Sequence, residues 1–360
     1  MTCSHHMIMQ RNLLLCLLLL TSMSAHASTG SASATAPKSD TVNPGRITVI
    51  NENDYYASND DQHYTQGARL SYLSGRVNNN GFWDTPFQFF AAHTPLFGGA
   101  EARRKYGFSL GQNMFTPRNT QSTNAGTNDR PYAAWLYGGF NLLQESATPS
   151  HHTLENLEIQ AGVVGRWALG GVTQNDFHQF VGVKPALGWR NQLENEPGVI
   201  ISYERKWRFQ QRLYGNLAVD IIPEAGVSAG NILTYGQGSV MVRFGQNLAA
   251  DYGPSRIRPS LSGTSWFDAT QMDGKFGWYI FAGTQGRAVA RNIFLDGNSF
   301  KNSPHVNKKP LVADFLVGAS LFWSDAVRLD FSVIQRTNEF YNQSGHTDRF
   351  GGVNLTFTFL

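Results

Sequence analysis

The stretch Thr65-Gln66-Gly67-Ala68-Arg69-Leu70-Ser71-Tyr72-Leu73 decides how this chain is read. Ala68, Leu70 and Tyr72 fall on one side of a period-two pattern, and Gly67, Arg69 and Ser71 fall on the other. Such alternation marks a β-strand with one apolar and one polar face. It recurs from Arg46 to Asp54, where Ile47, Val49 and Asn51 share a face, and in the final run Val353-Asn-Leu-Thr-Phe-Thr-Phe359. Further candidate strands fall near 105–115, 132–144, 152–164, 199–209, 213–224, 232–246, 275–291, 310–323 and 326–337. The total of about twelve is even, as bacterial single-chain barrels require.

Composition agrees with that count. Charged residues are 15% of the 360, against about 25% in an average soluble protein. Glycine (36 residues) and aromatics (12%) are plentiful, and mean hydropathy is −0.30. A polar average with few charges suits strands that alternate between lipid and lumen. Beyond the N-terminal leader no apolar run reaches the ~20 residues of a membrane helix, so membrane residence must come from strands. In lipid every backbone N–H and C=O needs a partner, which only helices and closed barrels provide. Aromatics near strand ends (Trp135, Tyr137, Trp207, Trp278, Tyr279, Phe322, Trp323) suit the girdles of such a barrel. The expected fold is all-β: an antiparallel transmembrane β-barrel of about twelve strands.

Residues 1–27 read as a signal peptide. Arg11 precedes an apolar run from Leu13 to Leu20, and Ser24-Ala25-His26-Ala27 has the small-x-small form of a cleavage site. Residues 28–44, rich in Ser, Thr, Ala and Pro, read as a flexible arm, and 45–360 as the barrel. Both cysteines, Cys3 and Cys16, lie in the leader, so the mature chain is expected to lack thiol chemistry. A formal net charge of +3, falling to +2 without Arg11, gives no nucleic-acid signal. Phe82 to Leu96 reads as a loop or short helix. Trp167 to Leu193 does not alternate, and its early part could hold a helix or two, broken at Pro185.

Four polar clusters serve no purpose on a lipid-facing wall. They are Asn51-Glu52-Asn53-Asp54; Asp61 to Gly67, with Tyr64 and Thr65; Gln112 to Pro117 with Asn128 to Tyr132; and Gln174 to His178 with Gly188 to Gly198. The first two flank one hairpin, so their oxygens could meet around a hard cation such as calcium. They equally suit a polar hairpin end facing water. His178 sits in a helix or loop, where it could act as a general base or lie on the surface. Gly107-Phe-Ser109-Leu-Gly111 spells a nucleophile elbow, but it lies inside an alternating strand rather than at a strand-to-helix turn. Ser109 is therefore not expected to be a nucleophile.

Taken together and in order, these clusters resemble the lipid A 3'-O-deacylase family of outer-membrane barrels. The matching pieces are Asn51-Glu-Asn-Asp54, Tyr64-Thr65-x-Gly67, Gly111-Gln-Asn-Met-Phe-Thr-Pro117, Asp129-Arg130-Pro-Tyr-Ala-Ala-Trp135, and His178 to Gly198. The resemblance covers most of the mature chain. It implies a twelve-stranded barrel in the outer membrane of a Gram-negative bacterium, with its site between the wall and a short helix. It also implies calcium-dependent hydrolysis of the ester that holds the 3'-linked acyloxyacyl chain of lipid A, the lipid anchor of lipopolysaccharide. His178 matches the catalytic histidine. Asn53 and Asp54 match the strand-one pair, with Asp54 the expected Ca2+ ligand, and Thr65 matches the site threonine. Arg118, Lys184 and Arg130 are the expected substrate-binding cations. Two departures stand out: the family pattern carries a glutamate six residues after the histidine, where this chain has Lys184, and a lysine after the third strand, where Arg118 is the substitute.

Two other readings compete. A non-catalytic barrel, a channel or structural protein, would have an open polar lumen and no convergent site. A serine-type barrel phospholipase would need a serine within reach of His178. No interface signal sets an oligomeric state.

Overall fold

A computed structural model of the chain describes residues 45–57, 62–98, 102–123, 128–258, 266–323, 326–343 and 347–359, so the expected signal peptide and arm lie outside the described residues. The strands are β1 (Gly45–Asn53), β2 (His63–Leu73), β3 (Arg103–Thr116), β4 (Ala133–Ala147), β5 (His152–Val164), β6 (Glu196–Tyr214), β7 (Leu217–Gly230), β8 (Leu233–Gln246), β9 (Phe276–Asn292), β10 (Leu311–Trp323), β11 (Val327–Arg336) and β12 (Asp348–Phe359). Each pairs antiparallel with its neighbours in sequence, and β1 closes the sheet on β12, with Val49 opposite Leu355. The result is a closed twelve-stranded barrel, which leaves no sheet edge for lipid to meet.

Period-two alternation sorts the side chains. Val49, Leu70, Leu110, Val227, Ile280 and Val317 are exposed on the outward face. Their alternates Thr48, Arg69, Glu158, Arg243, Gln285 and Asp314 are buried inside. An apolar band outside and a polar interior are the two requirements of a barrel in a bilayer.

Three expectations need correction. β1 stops at Asn53, and Asp54 begins a short 3-10 turn (Asp54–Tyr56), because the Asn53 side chain accepts the Tyr55 amide at 2.8 Å and caps it. β6 starts earlier than 199, since Pro197 lies close to the strand's start, where a missing N–H is tolerated. Of the expected girdle aromatics, Trp135, Tyr137, Tyr279 and Phe322 are buried in the interior. Nearness to a strand end suggested a girdle, but register parity decides which way a ring points.

Adjacent strands run in opposite directions, so the β1–β2, β3–β4, β5–β6, β9–β10 and β11–β12 connections share the end away from the described chain's termini. Helix α1 (Thr85–His93), within the stretch read as a loop or short helix, belongs to the terminal end. Helix α2 (Gly170–Val181), in the Trp167–Leu193 segment, belongs to the other.

The lumen is filled. The β8–β9 connection folds back into it, and Asp251, Tyr252, Ser255, Arg256, Ile257 and Arg258 are all buried there. Arg258 bridges Glu158 (2.7 Å) and Glu204 (2.6 Å), while Arg243 holds Asp220 at 2.5 Å and also pairs with Asp251. Asp314 sits between Arg287 (2.8 Å) and Arg336 (2.9 Å). Buried charges persist only when paired and hydrogen-bonded, and losing one partner of a buried pair costs far more than the pair contributes. Asp314→Ala is therefore expected to destabilise the barrel by about 3 kcal/mol or more. The check is the urea midpoint at which the folded barrel loses its heat-modifiable migration on gels. An unchanged midpoint would show that the lumen pairs are not needed for the fold.

Candidate active site

Helix α2 is seated on the outside of the wall. Ala168, Ala186 and Trp189 from its segment pack with Met114, Tyr132 and Ala134, flanked by Leu136 and Val163. Met114 and Val163 share the outward parity of exposed Leu110 and Ile159. Gln112, on the same face, donates to the Ala168 carbonyl (2.6 Å) and the Thr173 hydroxyl (3.2 Å), which fastens the start of the helix to β3.

His178 lies in the last turn of α2, and the local sequence dictates its setting. Gly182 takes the left-handed conformation (φ 75°), which ends the helix. The Val183 amide then donates to the His178 carbonyl (2.8 Å) and the Gly182 amide to that of Gln179 (3.3 Å), the two bonds of a Schellman cap. The cap folds residues 183–187 back along the helix. Asn175 locks them there, accepting the Ala186 amide (2.8 Å) and donating to the Ala186 carbonyl (3.2 Å). The Lys184 carbonyl is thereby brought 2.8 Å from His178 Nδ1. A carbonyl only accepts, so Nδ1 carries the hydrogen and Nε2 of the neutral ring keeps its lone pair.

Across β3, the ends of β1 and β2 supply oxygens. Asn53 shares the outward parity of Val49 on β1, and the Asp54 carboxylate is buried and accepts the Gln62 amide at 2.7 Å. Thr65 is the extra residue where the β2–β3 register shifts between Tyr64 and Gln66, and its hydroxyl bonds that of Thr116 at 2.7 Å. The bulge lets Tyr64 turn inward while Thr65 reaches the outward Thr116, a re-aiming that bulges commonly perform. Asn53, Asp54, Thr65 and His178 all lie at the same end of the barrel, the first three at the ends of β1 and β2 and His178 on the helix seated over β3 and β4. Among the described residues no three His, Cys, Asp or Glu side chains form a metal cage. The carboxylate, amide and hydroxyl oxygens of Asp54, Asn53, Thr65 and Thr116 are an all-oxygen set, chemistry that suits a hard cation rather than a soft metal.

The three expected cationic residues divide. Arg118 and Lys184 are exposed on the loops around this arc. Arg130 is fully buried, its guanidinium 3.1 Å from Glu339 and over the Phe115 ring, so it ties the β3–β4 loop to the β11–β12 loop instead of facing an open site. Next to it lies a cluster that the sequence did not announce. His63, in the left-handed region (φ 62°), places Nδ1 2.5 Å from Asp348 and Nε2 3.5 Å from Asp129. Asp129 also accepts the Arg118 and Arg130 amides at 2.8 Å each. These partners come from the start of β2, the β3–β4 loop and the start of β12. The one local signal was the adjacency of His63 to Tyr64-Thr65 and of Asp129 to Arg130.

A charge-packed barrel with a histidine-bearing helix on the outward face of its rim defines an outer-membrane β-barrel protein. The sequence profile described as outer membrane protein LpxR matches residues 13–359, and the chain belongs to the LpxR family. Among solved structures, LpxR from Salmonella typhimurium is similar at TM-score 0.67 and 21% identity, over 87% of this chain and 100% of that one. The β domain of the Bordetella autotransporter Brka has TM-score 0.43 and 10% identity, over 88% and 99%. No curated protein matches.

Burial pushes the Asp129 carboxyl up, but the neighbouring His63 ring and the hydrogen bonds from the two backbone amides outweigh it and hold the group below its ordinary value. A depressed carboxylate contributes stability above its unfolded pKa, about 3.9, and loses it as pH falls through the lower folded value. Asp129→Ala is expected to quicken amide exchange across residues 117–123 by roughly tenfold or more, since charged hydrogen bonds contribute about 1.5–3 kcal/mol each. The barrel strands should exchange as before. Wild type acidified below the folded pKa should behave like the variant, and unchanged exchange in Asp129→Ala would remove Asp129 as the loop's tie.

Proposed function

We propose that the protein is a lipid A deacylase that hydrolyses the ester of the 3'-linked acyloxyacyl chain. The observation that carries this reading is the setting of His178. Its Nδ1–H is fixed on the Lys184 carbonyl, and its helix exposes Val172, Phe177 and Phe180, followed by Val183 and Leu187. A positioned base beside an apolar surface on the membrane-facing side of a barrel suits an ester inside a lipid. Membership of the LpxR family supports the same substrate.

In this reading Nε2 of His178 takes a proton from water as the water oxygen bonds to the ester carbonyl carbon. The bond from that carbon to the sugar oxygen then breaks, and the proton passes to the leaving alkoxide, giving a free hydroxyl and a carboxylic acid, which releases its proton to water. The Thr65–Thr116 hydroxyl pair orients groups at the carbonyl from β2 and β3. Asp54, with Asn53, would hold calcium, which when bound supplies positive charge for the carbonyl oxygen. Exposed Arg118 and Lys184 offer cations to the phosphates of lipid A. Arg130 is assigned to the loop that carries them.

The filled lumen argues against a conducting channel. Ser109 lies in the middle of β3, away from any strand-to-helix elbow, and is not proposed as a nucleophile.

The test is the mass spectrum of lipid A from a host expressing the protein. Wild type is expected to remove the acyloxyacyl mass. His178→Ala should slow the reaction by about 10²–10⁴-fold, and chelation of calcium should stop it. Intact lipid A beside a folded wild-type barrel would sink the proposal. Deacylation that survives His178→Ala would sink the mechanism and spare the substrate.

A further inference from the structure

Glu52, Tyr64 and Gly67 sit among the residues proposed for the site but have no role on the outward face, because all three turn into the lumen. Glu52 is 1% exposed, and the Tyr64 hydroxyl donates to its Oε2 at 2.9 Å. The other oxygen is held from across the barrel. Arg256 Nε donates to Oε1 at 2.8 Å, and the Ile257 amide donates to the same atom at 3.3 Å. Arg256 and Ile257 belong to the β8–β9 connection, which enters the lumen from the opposite end.

Gly67 stands opposite Glu52 in register. A Cβ there would lie 2.1 Å from the Tyr64 oxygen and 2.9 Å from Ile257 Cδ1, so only glycine leaves room for both the hydroxyl and the inserted segment. Neighbouring bonds hold the same segment. Asn113 donates to the Arg258 carbonyl (3.2 Å), Asn354 donates to the Ser255 carbonyl (2.6 Å), and Arg258 is pinned by Glu158 and Glu204.

We propose that this lumen strap, Ser255–Arg258, positions the outward site, with Arg256 as the positioning residue acting through Glu52 and Tyr64. The proposal rests on the deacylase reading of Asn53, Asp54 and Thr65. Glu52 adjoins Asn53 in β1, and Tyr64 adjoins Thr65 in the bulge of β2. The bulge re-aims the side chains on either side of it, Tyr64 inward and Thr65 toward Thr116. Here the inward bond of Tyr64 to Glu52 keeps Thr65 turned outward, and Arg256 holds the Glu52 carboxylate in place from across the lumen. The strap therefore ties the end of β1 to the bulge from below, while the reacting groups lie above it, on the far side of the wall.

The experiment compares wild type with Arg256→Met, Arg256→Lys and Tyr64→Phe in the full-length barrel, with lipid A in mixed micelles as substrate. Arg256→Met is expected to lower kcat by roughly tenfold to a hundredfold, the cost of a reacting group misplaced by about 1 Å, with KM unchanged. Arg256→Lys keeps the charge and should recover most of the loss. Tyr64→Phe, which removes one hydroxyl, should fall between them. Amide exchange across residues 50–57 and 62–68 should quicken in Arg256→Met whatever the activity. Wild-type kcat in Arg256→Met, with or without quickened exchange, would overturn the proposal. So would a loss that Lys fails to rescue and that follows the barrel's thermal midpoint. If wild type leaves lipid A untouched while exchange quickens in Arg256→Met, the deacylase reading falls and the strap's hold on the β1–β2 end stands.

Discussion

A backbone amide or carbonyl left unpaired in hydrocarbon costs several kcal/mol, and everything else in this structure follows from meeting that constraint with strands. The sheet must close, so β1 pairs with β12. A closed sheet has one face to lipid and one to a lumen, and the sequence must alternate to serve both. The inward positions then hold Arg69, Glu158, Asp220, Arg243, Asp314 and Arg336, which survive burial because each has an opposite charge at hand. The β8–β9 connection supplies partners that the strands lack, notably Arg258 between Glu158 and Glu204.

A filled lumen moves chemistry to the outside. The groups proposed to act lie on the outward arc of β1 to β4, where Asn53 follows the parity of Val49 and α2 rests on Met114 and Ala134. From there a substrate can arrive laterally within the bilayer without crossing the barrel. The exposed Phe177 and Phe180 of α2, and Val183 just beyond it, are out of place in water and well placed among acyl chains. The same wall carries two kinds of information. Its outward residues face the lipid, and its inward residues, Glu52 and Tyr64 among them, fix where the outward ones stand.

The strands were legible because alternation is a local property: Thr65 to Leu73 shows both faces of β2 without help from any other part of the chain. Helix α2 was legible as a break in that pattern, and His178 through its place in an ordered set of motifs. Partners far apart in sequence were not legible. Arg130 read as a substrate cation because nothing near it reveals Glu339, 209 positions away. Trp135 read as a girdle residue because its face depends on the register of β4 between β3 and β5. The strap around Arg256 was not legible, because it neither alternates nor repeats, and its order comes from carboxylates and amides far away in sequence.

The departure at position 184 changes meaning against this background. The resemblance implies a glutamate there, and Lys184 in its place removes a carboxylate that would orient the histidine. The atom that orients His178 here belongs to the main chain: the Lys184 carbonyl, delivered by the Schellman cap at Gly182 and the paired bonds of Asn175. Any residue with ordinary backbone geometry at position 184 supplies that carbonyl. The side chain is thereby released from holding the ring and can face the solvent side of the loop as a cation. A glutamate could still tune the histidine electrostatically, but the tautomer with its lone pair on Nε2 does not depend on one, because a carbonyl acceptor already selects it.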